Sequence, residues 1–146
     1  MAVQKIIDIL KIRNEEDFKN AVSEFEETVL LSLKPLTDQL QRQLLTQEVQ
    51  QLELHMTFVE SWRDRVARFL MLCNAFENHG KSQYFLLPGG RNITTTDREA
   101  YQKGIIVTAV SLSNYLENLL RSIDSRVMIC KKLLGNELEG NVNRRS

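Results

Sequence analysis

The chain has 146 residues, of which 42% are hydrophobic and 26% charged, and its acidic and basic residues are equal in number. This composition excludes a disordered chain, and the length is typical of one domain with a modest core. It contains no apolar run of the roughly 20 residues that a membrane span needs. Its two cysteines are too few for a disulfide framework, so we expect a reducing, cytoplasmic compartment.

Residues 1–34 are predicted to form two helices. The first is short and amphipathic and covers residues 3–12. Asn14 is a suitable N-cap for the second, because three acidic residues follow it in the first turn. Pro35 should kink or end this helix near Leu33. Its apolar stripe has helical spacing and consists of Phe18, Val22, Phe25, Val29 and Leu33.

Residues 36–79 predict one long helix with a heptad seam. Such a helix would be a rod of about 60 Å, which is too long to bury its whole seam in a chain of this size. We therefore expect part of the seam to meet another chain. The seam residues are Leu45, Leu52, Val59, Trp62, Val66 and Phe69.

Residues 81–95 contain a Pro88-Gly89-Gly90 turn between two helical stretches, and Gly80 is predicted to close the helix before it. The sequence leaves open whether this segment is a β-hairpin or an irregular loop. The glycines lack the pattern of a phosphate-binding loop. Tyr84, Phe85 and Leu87 form a candidate contact surface, since they would otherwise be exposed apolar side chains.

A final helix is predicted over residues 96–135. Thr96 and Glu99 fit a capping box at its start, and Gly135 is a suitable cap at its end. Residues 136–146 are polar and are predicted to be a flexible tail.

The sequence shows no pattern for catalysis, cofactor binding or metal binding. It contains neither H-E-x-x-H nor C-x-x-C, and the two histidines lack a convincing partner for nucleophilic catalysis. We therefore expect a protein that is not an enzyme and that needs no cofactor.

Charge is distributed unevenly along the chain. Residues 1–59 hold six Lys or Arg and ten Asp or Glu, a net charge of −4, and residues 60–146 hold thirteen and nine, a net charge of +4. Such asymmetry is typical either of head-to-tail self-association or of a basic end that meets nucleic acid, although scatter over a solvated surface would also produce it. The candidate nucleic-acid contacts are Arg63, Arg65, Lys81 and Arg91.

One stretch resembles a known family. The sequence NYLENLLRSIDSR over residues 114–126, followed by Lys131-Lys132, is similar to the C-terminal helix of UvsY-type recombination mediators of tailed phages. The order of a long helix, a Gly80-Lys81 turn, a loop and a final helix is also similar, over about residues 55–134. Glu77-Asn78-His79 stands where that family would have an aromatic pair. The resemblance implies an oligomeric phage protein in the host cytoplasm that binds single-stranded DNA and loads a recombinase.

The sequence thus predicts an all-α, elongated bundle with three main helices, a short N-terminal helix and one loop or hairpin. The favoured function is a non-catalytic interaction or assembly protein that oligomerises or docks through its heptad seam, and the resemblance to UvsY-type mediators implies that a phage encodes it. Two alternatives remain open: a UvsY-like mediator that binds single-stranded DNA, and a small regulator that binds a host enzyme.

Overall fold

A computed structural model describes the backbone of residues 11–12, 15–44, 48–82 and 95–145, without the side chains of 95–98, 101–102 and 136–145. Five helices lie in these ranges: α1 Glu15–Ser32, α2 Lys34–Leu40, α3 Val49–Ser61, α4 Arg63–Ser82 and α5 Thr95–Arg145. The all-α class is confirmed, because every regular element in these ranges is an α-helix. Outside them lie residues 83–94 of the predicted loop or hairpin, almost all of the predicted first helix, and Asn14, Leu45, Tyr84, Phe85, Leu87 and Arg91. Residues 81, 82 and 95, which were predicted to belong to the loop, are helical.

Helices α1 and α2 form one arm that is kinked at Leu33, as Pro35 predicts. Leu33 keeps helical backbone angles, and its N–H donates to the carbonyl of Val29 at 2.9 Å. Pro35 has no N–H to continue the ladder, which accounts for the interruption of the regular helix at Leu33. The stripe from Phe18 to Leu33 is buried as predicted.

The predicted continuous helix over residues 36–79 is wrong. The chain leaves helical structure after Leu40, and Glu48 is extended before α3 begins. No glycine or proline marks this break, and long-range contacts hold it. Leu44 is buried in a small second cluster with Leu52 and Cys130, so burial of one leucine side chain favours the reversal over continued helix.

After this reversal, α3 and α4 form a second arm that bends at Trp62, and α5 is the third. The ring of Phe18, near the start of α1, lies 5.3 Å from that of His79, near the end of α4. Ser113 of α5 donates to Asn74 of α4, and Asp124 pairs with Arg63 at the start of α4. The second arm is therefore antiparallel to both others, and the register places its bend level with Leu33.

The heptad seam faces the interior of this bundle. Val59 and Val66 are 0% exposed, and Leu52 and Trp62 are also buried, while Phe69 is half-buried. Because other helices of the same chain, chiefly α5, cover these residues, the seam has no need of a second chain. The argument from rod length was wrong because α5, with 51 residues, is long enough to cover both halves of the second arm.

Two predicted helix ends are also wrong. Gly80 does not close its helix, which continues to Ser82, and α5 continues past Gly135 to Arg145, through most of the predicted flexible tail. A glycine costs a helix about 1 kcal/mol but does not stop it. At Gly80 the reason for glycine is packing, since an added Cβ would lie 2.5 Å from Cγ2 of Ile106 on α5.

Candidate functional site: the Leu54–Phe58 face

An exposed apolar surface lies on α3, away from the seam. Leu54 is 66% exposed and Phe58 is 38% exposed, and a spacing of four residues places them on the same side of the helix. We use the name Leu54–Phe58 face for the surface formed by these two residues, by Arg65 further along the arm, which lies over the ring of the buried Trp62, and by Gln39 and Arg42 beside them.

Aromatic and cationic groups continue this face across the bend in the arm. The ring centroids of Phe58 and Trp62 are 6.3 Å apart, and the guanidinium carbon of Arg65 lies 4.6 Å from the Trp62 ring centroid. A guanidinium over an indole at this distance is a cation–π contact. The stack therefore presents an arginine whose side chain is already ordered, which lowers the entropy lost on binding.

A cavity of about 400 Å³ opens at the same surface, between the end of α2 and the first turns of α3. Leu54 and Phe58 form its apolar wall. Its polar lining consists of Gln39, Arg42, Gln51 and His55. The Arg42 guanidinium donates to Oε1 of Gln39 at 3.1 Å, so a positive charge is held beside the apolar wall. This combination suits an occupant with both an apolar and an acidic group.

His55 is a buried histidine in the lining of the cavity. It is only 5% exposed, and neither of its ring nitrogens has a hydrogen-bond partner among the residues that the structure describes. Burial lowers the pKa of its imidazole from the usual 6.5, and the charges of Arg126 and Arg42 lower it further. Burial and the two nearby cations therefore disfavour the protonated form of His55.

Arg126 of α5 holds the chain at the end of α2, beside the cavity. Its guanidinium donates to the carbonyls of Leu40 and Arg42, the latter at 2.8 Å. These carbonyls lie at the end of α2, where backbone acceptors lack partners in the helix and where a cation is favoured. A single side chain from the opposite end of the sequence thus orients the loop that carries Arg42.

The residues predicted to contact nucleic acid do not share one surface. Arg63 forms a bidentate pair with Glu60 (2.8 and 2.9 Å) and also pairs with Asp124. The hydrogen bonds to these two carboxylates raise the pKa of Arg63, and the bond from Arg63 lowers the pKa of Glu60. The charge of Arg63 is therefore committed to joining the second arm to α5.

Arg65 and Lys81 lie near opposite ends of α4. The 16 positions between them correspond to about 24 Å of helix, and Lys81 pairs with Glu77 at 3.1 Å. Arg65 belongs to the Leu54–Phe58 face, whereas Lys81 belongs to the other end of the bundle, and Arg91 lies outside the described residues.

Cys73 and Cys130 are free and buried. Burial raises the pKa of the Cys73 thiol to about 12 and also raises that of Cys130. A thiol in such surroundings is a poor nucleophile because its thiolate is disfavoured. Within the described ranges, no group of three or more His, Cys, Asp or Glu side chains is placed to hold a metal ion.

Comparison with protein-family models, with curated proteins and with solved structures found no match for this chain. The similarity to UvsY-type mediators therefore stays a prediction. No helix in the described part of the chain is long and apolar enough to cross a membrane.

Sequence reasoning placed Arg65 among basic residues, but missed the face that it shares with Leu54 and Phe58. The sequence contains a pattern that indicates this face. Leu54 and Phe58 are an apolar pair, four residues apart, at positions that the seam does not use. A second apolar stripe on a helix whose seam is already satisfied indicates a contact surface.

Proposed function

We propose that this chain is a non-catalytic helical protein that acts by binding another protein chain through its Leu54–Phe58 face. The observation that carries the proposal is the exposure of Leu54 (66%) and Phe58 (38%) one helical turn apart, beside Arg42 and Arg65. Aromatic and arginine side chains are enriched in the residues that dominate binding energy at protein interfaces. This surface replaces the heptad seam as the proposed contact.

The chemistry of the described residues supports a binding role over a catalytic one. The thiols of Cys73 and Cys130 are buried and disfavour ionisation. His55 has no hydrogen-bond partner among the described residues that would orient it as a general base, whereas catalytic histidines are commonly held by a second group. What the site offers is an apolar wall, an ordered cation and a cavity.

Site-specific photocrosslinking in living cells tests the proposal. A photoreactive amino acid at position 58 should form an adduct with a second protein chain, and Leu54→Glu in the same chain should abolish that adduct. The matched control carries the same photoreactive group at Met71, which is 71% exposed and lies on a different side of the same arm. No adduct at position 58, or equal adducts at both positions, would overturn the proposal.

The identity of the adduct separates the remaining alternatives. An adduct of the chain with itself favours an assembly protein, whereas an adduct with one cellular enzyme favours a regulator. The single-stranded DNA alternative makes a different prediction, which is tested by fluorescence anisotropy of labelled single-stranded DNA at low and physiological salt. A mediator should bind with an affinity that falls steeply as salt rises.

A further inference from the structure

A second exposed surface complements the Leu54–Phe58 face in charge and shape. On α1, Glu24 and Leu31 are exposed and lie on the same side of the helix, opposite the buried stripe. Leu31 is 75% exposed, the highest value for a large hydrophobic side chain in the described residues. Glu27 lies between them and is also exposed. We call this surface the Glu24–Leu31 face.

The spacing of the two faces matches. Glu24 and Leu31 are seven residues apart, which is two helical turns or about 10 Å, and Phe58 and Arg65 are also seven residues apart, across the bend at Trp62. When α1 of one copy packs antiparallel to the second arm of the other, Leu31 can contact Leu54 and Phe58. In this register, Glu24 lies level with Arg65. Neither Glu24 nor Arg65 takes part in a salt bridge identified within the described residues, so their charges are available to each other.

The two faces of one chain cannot meet. Helix α1 packs on the bundle through Phe18, Val22, Phe25 and Val29, and the Glu24–Leu31 face is on the side that points away from the bundle. A contact between the faces therefore requires two chains, with α1 of one copy on α3 of the other.

We infer that the Leu54–Phe58 face receives the Glu24–Leu31 face of a second copy, with Leu31 on Leu54 and Phe58 and with Glu24 beside Arg65. The inference rests on the proposed function and names its partner. Each copy carries both halves, so the contact is heterologous: it closes a dimer when two contacts form reciprocally and builds a chain of copies when they do not.

Mixing two defective variants tests the inference. In sedimentation velocity from micromolar to millimolar concentration, wild type should associate, whereas Leu31→Glu and Leu54→Glu should each be monomeric. Mixed in equal amounts, these two variants should form a heterodimer. The Leu31→Glu variant keeps an intact Leu54–Phe58 face, and the Leu54→Glu variant keeps an intact Glu24–Leu31 face. The Met71→Glu control should associate like wild type, and circular dichroism should show the same helix content in all variants.

A charge exchange tests the register. Glu24→Arg and Arg65→Glu should each weaken association about tenfold or more, since each places like charges opposite one another. The double variant should recover most of the wild-type affinity.

Several results would overturn the inference while leaving the proposed function to the crosslinking experiment. A wild-type chain that is monomeric at millimolar concentration rules out a second copy as the partner. Association that Leu54→Glu abolishes and Leu31→Glu does not affect shows that another surface occupies the face. Failure of the mixture to form a heterodimer, or of the double charge exchange to restore binding, excludes the proposed pairing of faces.

Discussion

At the scale of single residues, the surroundings of His55 in the cavity lining disfavour protonation of its ring. It is buried, its ring nitrogens lack partners among the described residues, and two arginines lie near it. A neutral imidazole tolerates this position, but an imidazolium would be desolvated and repelled by Arg42 and Arg126. The proton is therefore bound more weakly by the folded chain than by the unfolded chain.

This difference in proton binding between the folded and the unfolded chain predicts that stability depends on pH. Because the pKa of His55 is lowered from 6.5 in the folded state, the unfolded state binds more protons as the pH falls below 6.5, and the free energy of unfolding should fall with it. His55→Leu removes this contribution and should be neutral or stabilising above that pH. Urea denaturation of both proteins, above and below pH 6.5, checks the prediction. Equal losses in both proteins would assign the acid sensitivity to other groups.

At the scale of helices, the close packing of α5 against α4 at Gly80 depends on the absence of a side chain there. A Cβ at this position would lie 2.5 Å from Cγ2 of Ile106 and 3.1 Å from Cε1 of Phe18. Both contacts are shorter than normal carbon–carbon separations, and the Ile106 methyl group is on a branched carbon that moves only with its helix or its rotamer.

Gly80→Ala should therefore destabilise the chain although alanine is the better helix former. The gain in helix propensity is up to about 1 kcal/mol, whereas overpacking a core costs about 1 to 3 kcal/mol, so we expect a net loss near 1 kcal/mol. Gly104→Ala is the matched control, because an added Cβ there has no neighbour within 4 Å. It should stabilise the chain by about 0.5 to 1 kcal/mol. Urea denaturation measures both, and a stabilising Gly80→Ala would contradict the close approach.

The end of a helix can be predicted from sequence when residues close to it in the chain determine it. Pro35 produced the kink at Leu33 where the sequence indicated it, because the effect of proline acts within one turn. The break after Leu40 could not be predicted, since it depends on Arg126, which lies 86 residues from Leu40 along the chain. The buried stripe of α1 follows from its spacing. The spacing of Leu54 and Phe58 indicates a second apolar stripe, but their exposure also depends on which side of α3 the other arms cover.

At the scale of the whole molecule, the seam that suggests a coiled coil between chains is the core of a single chain. Replacing Val59 and Val66 with Asp would place carboxylates at positions with 0% exposure. An uncompensated buried charge costs about 3 to 5 kcal/mol, a large share of the roughly 5 to 15 kcal/mol that stabilises a typical domain.

Val59→Asp with Val66→Asp should therefore unfold the chain, with loss of most of its helix content in circular dichroism. A seam between chains predicts a different result, namely dissociation with helix content retained. Leu54→Glu is the control for adding a charge to the same arm, and it should keep the helix content of wild type. A helical monomer of the double variant would show that the seam lies between copies after all.

Among the described residues, the apolar interior has two clusters, and each contains one of the two cysteines. Cys73 belongs to the large cluster, to which all five helices contribute, and Cys130 belongs to the small one with Leu44 and Leu52 at the reversal. A thiol reagent reaches a buried cysteine only when the structure around it opens. The chain thus contains two natural chemical reporters, one for opening at the corner beside the Leu54–Phe58 face and one for opening of the main body.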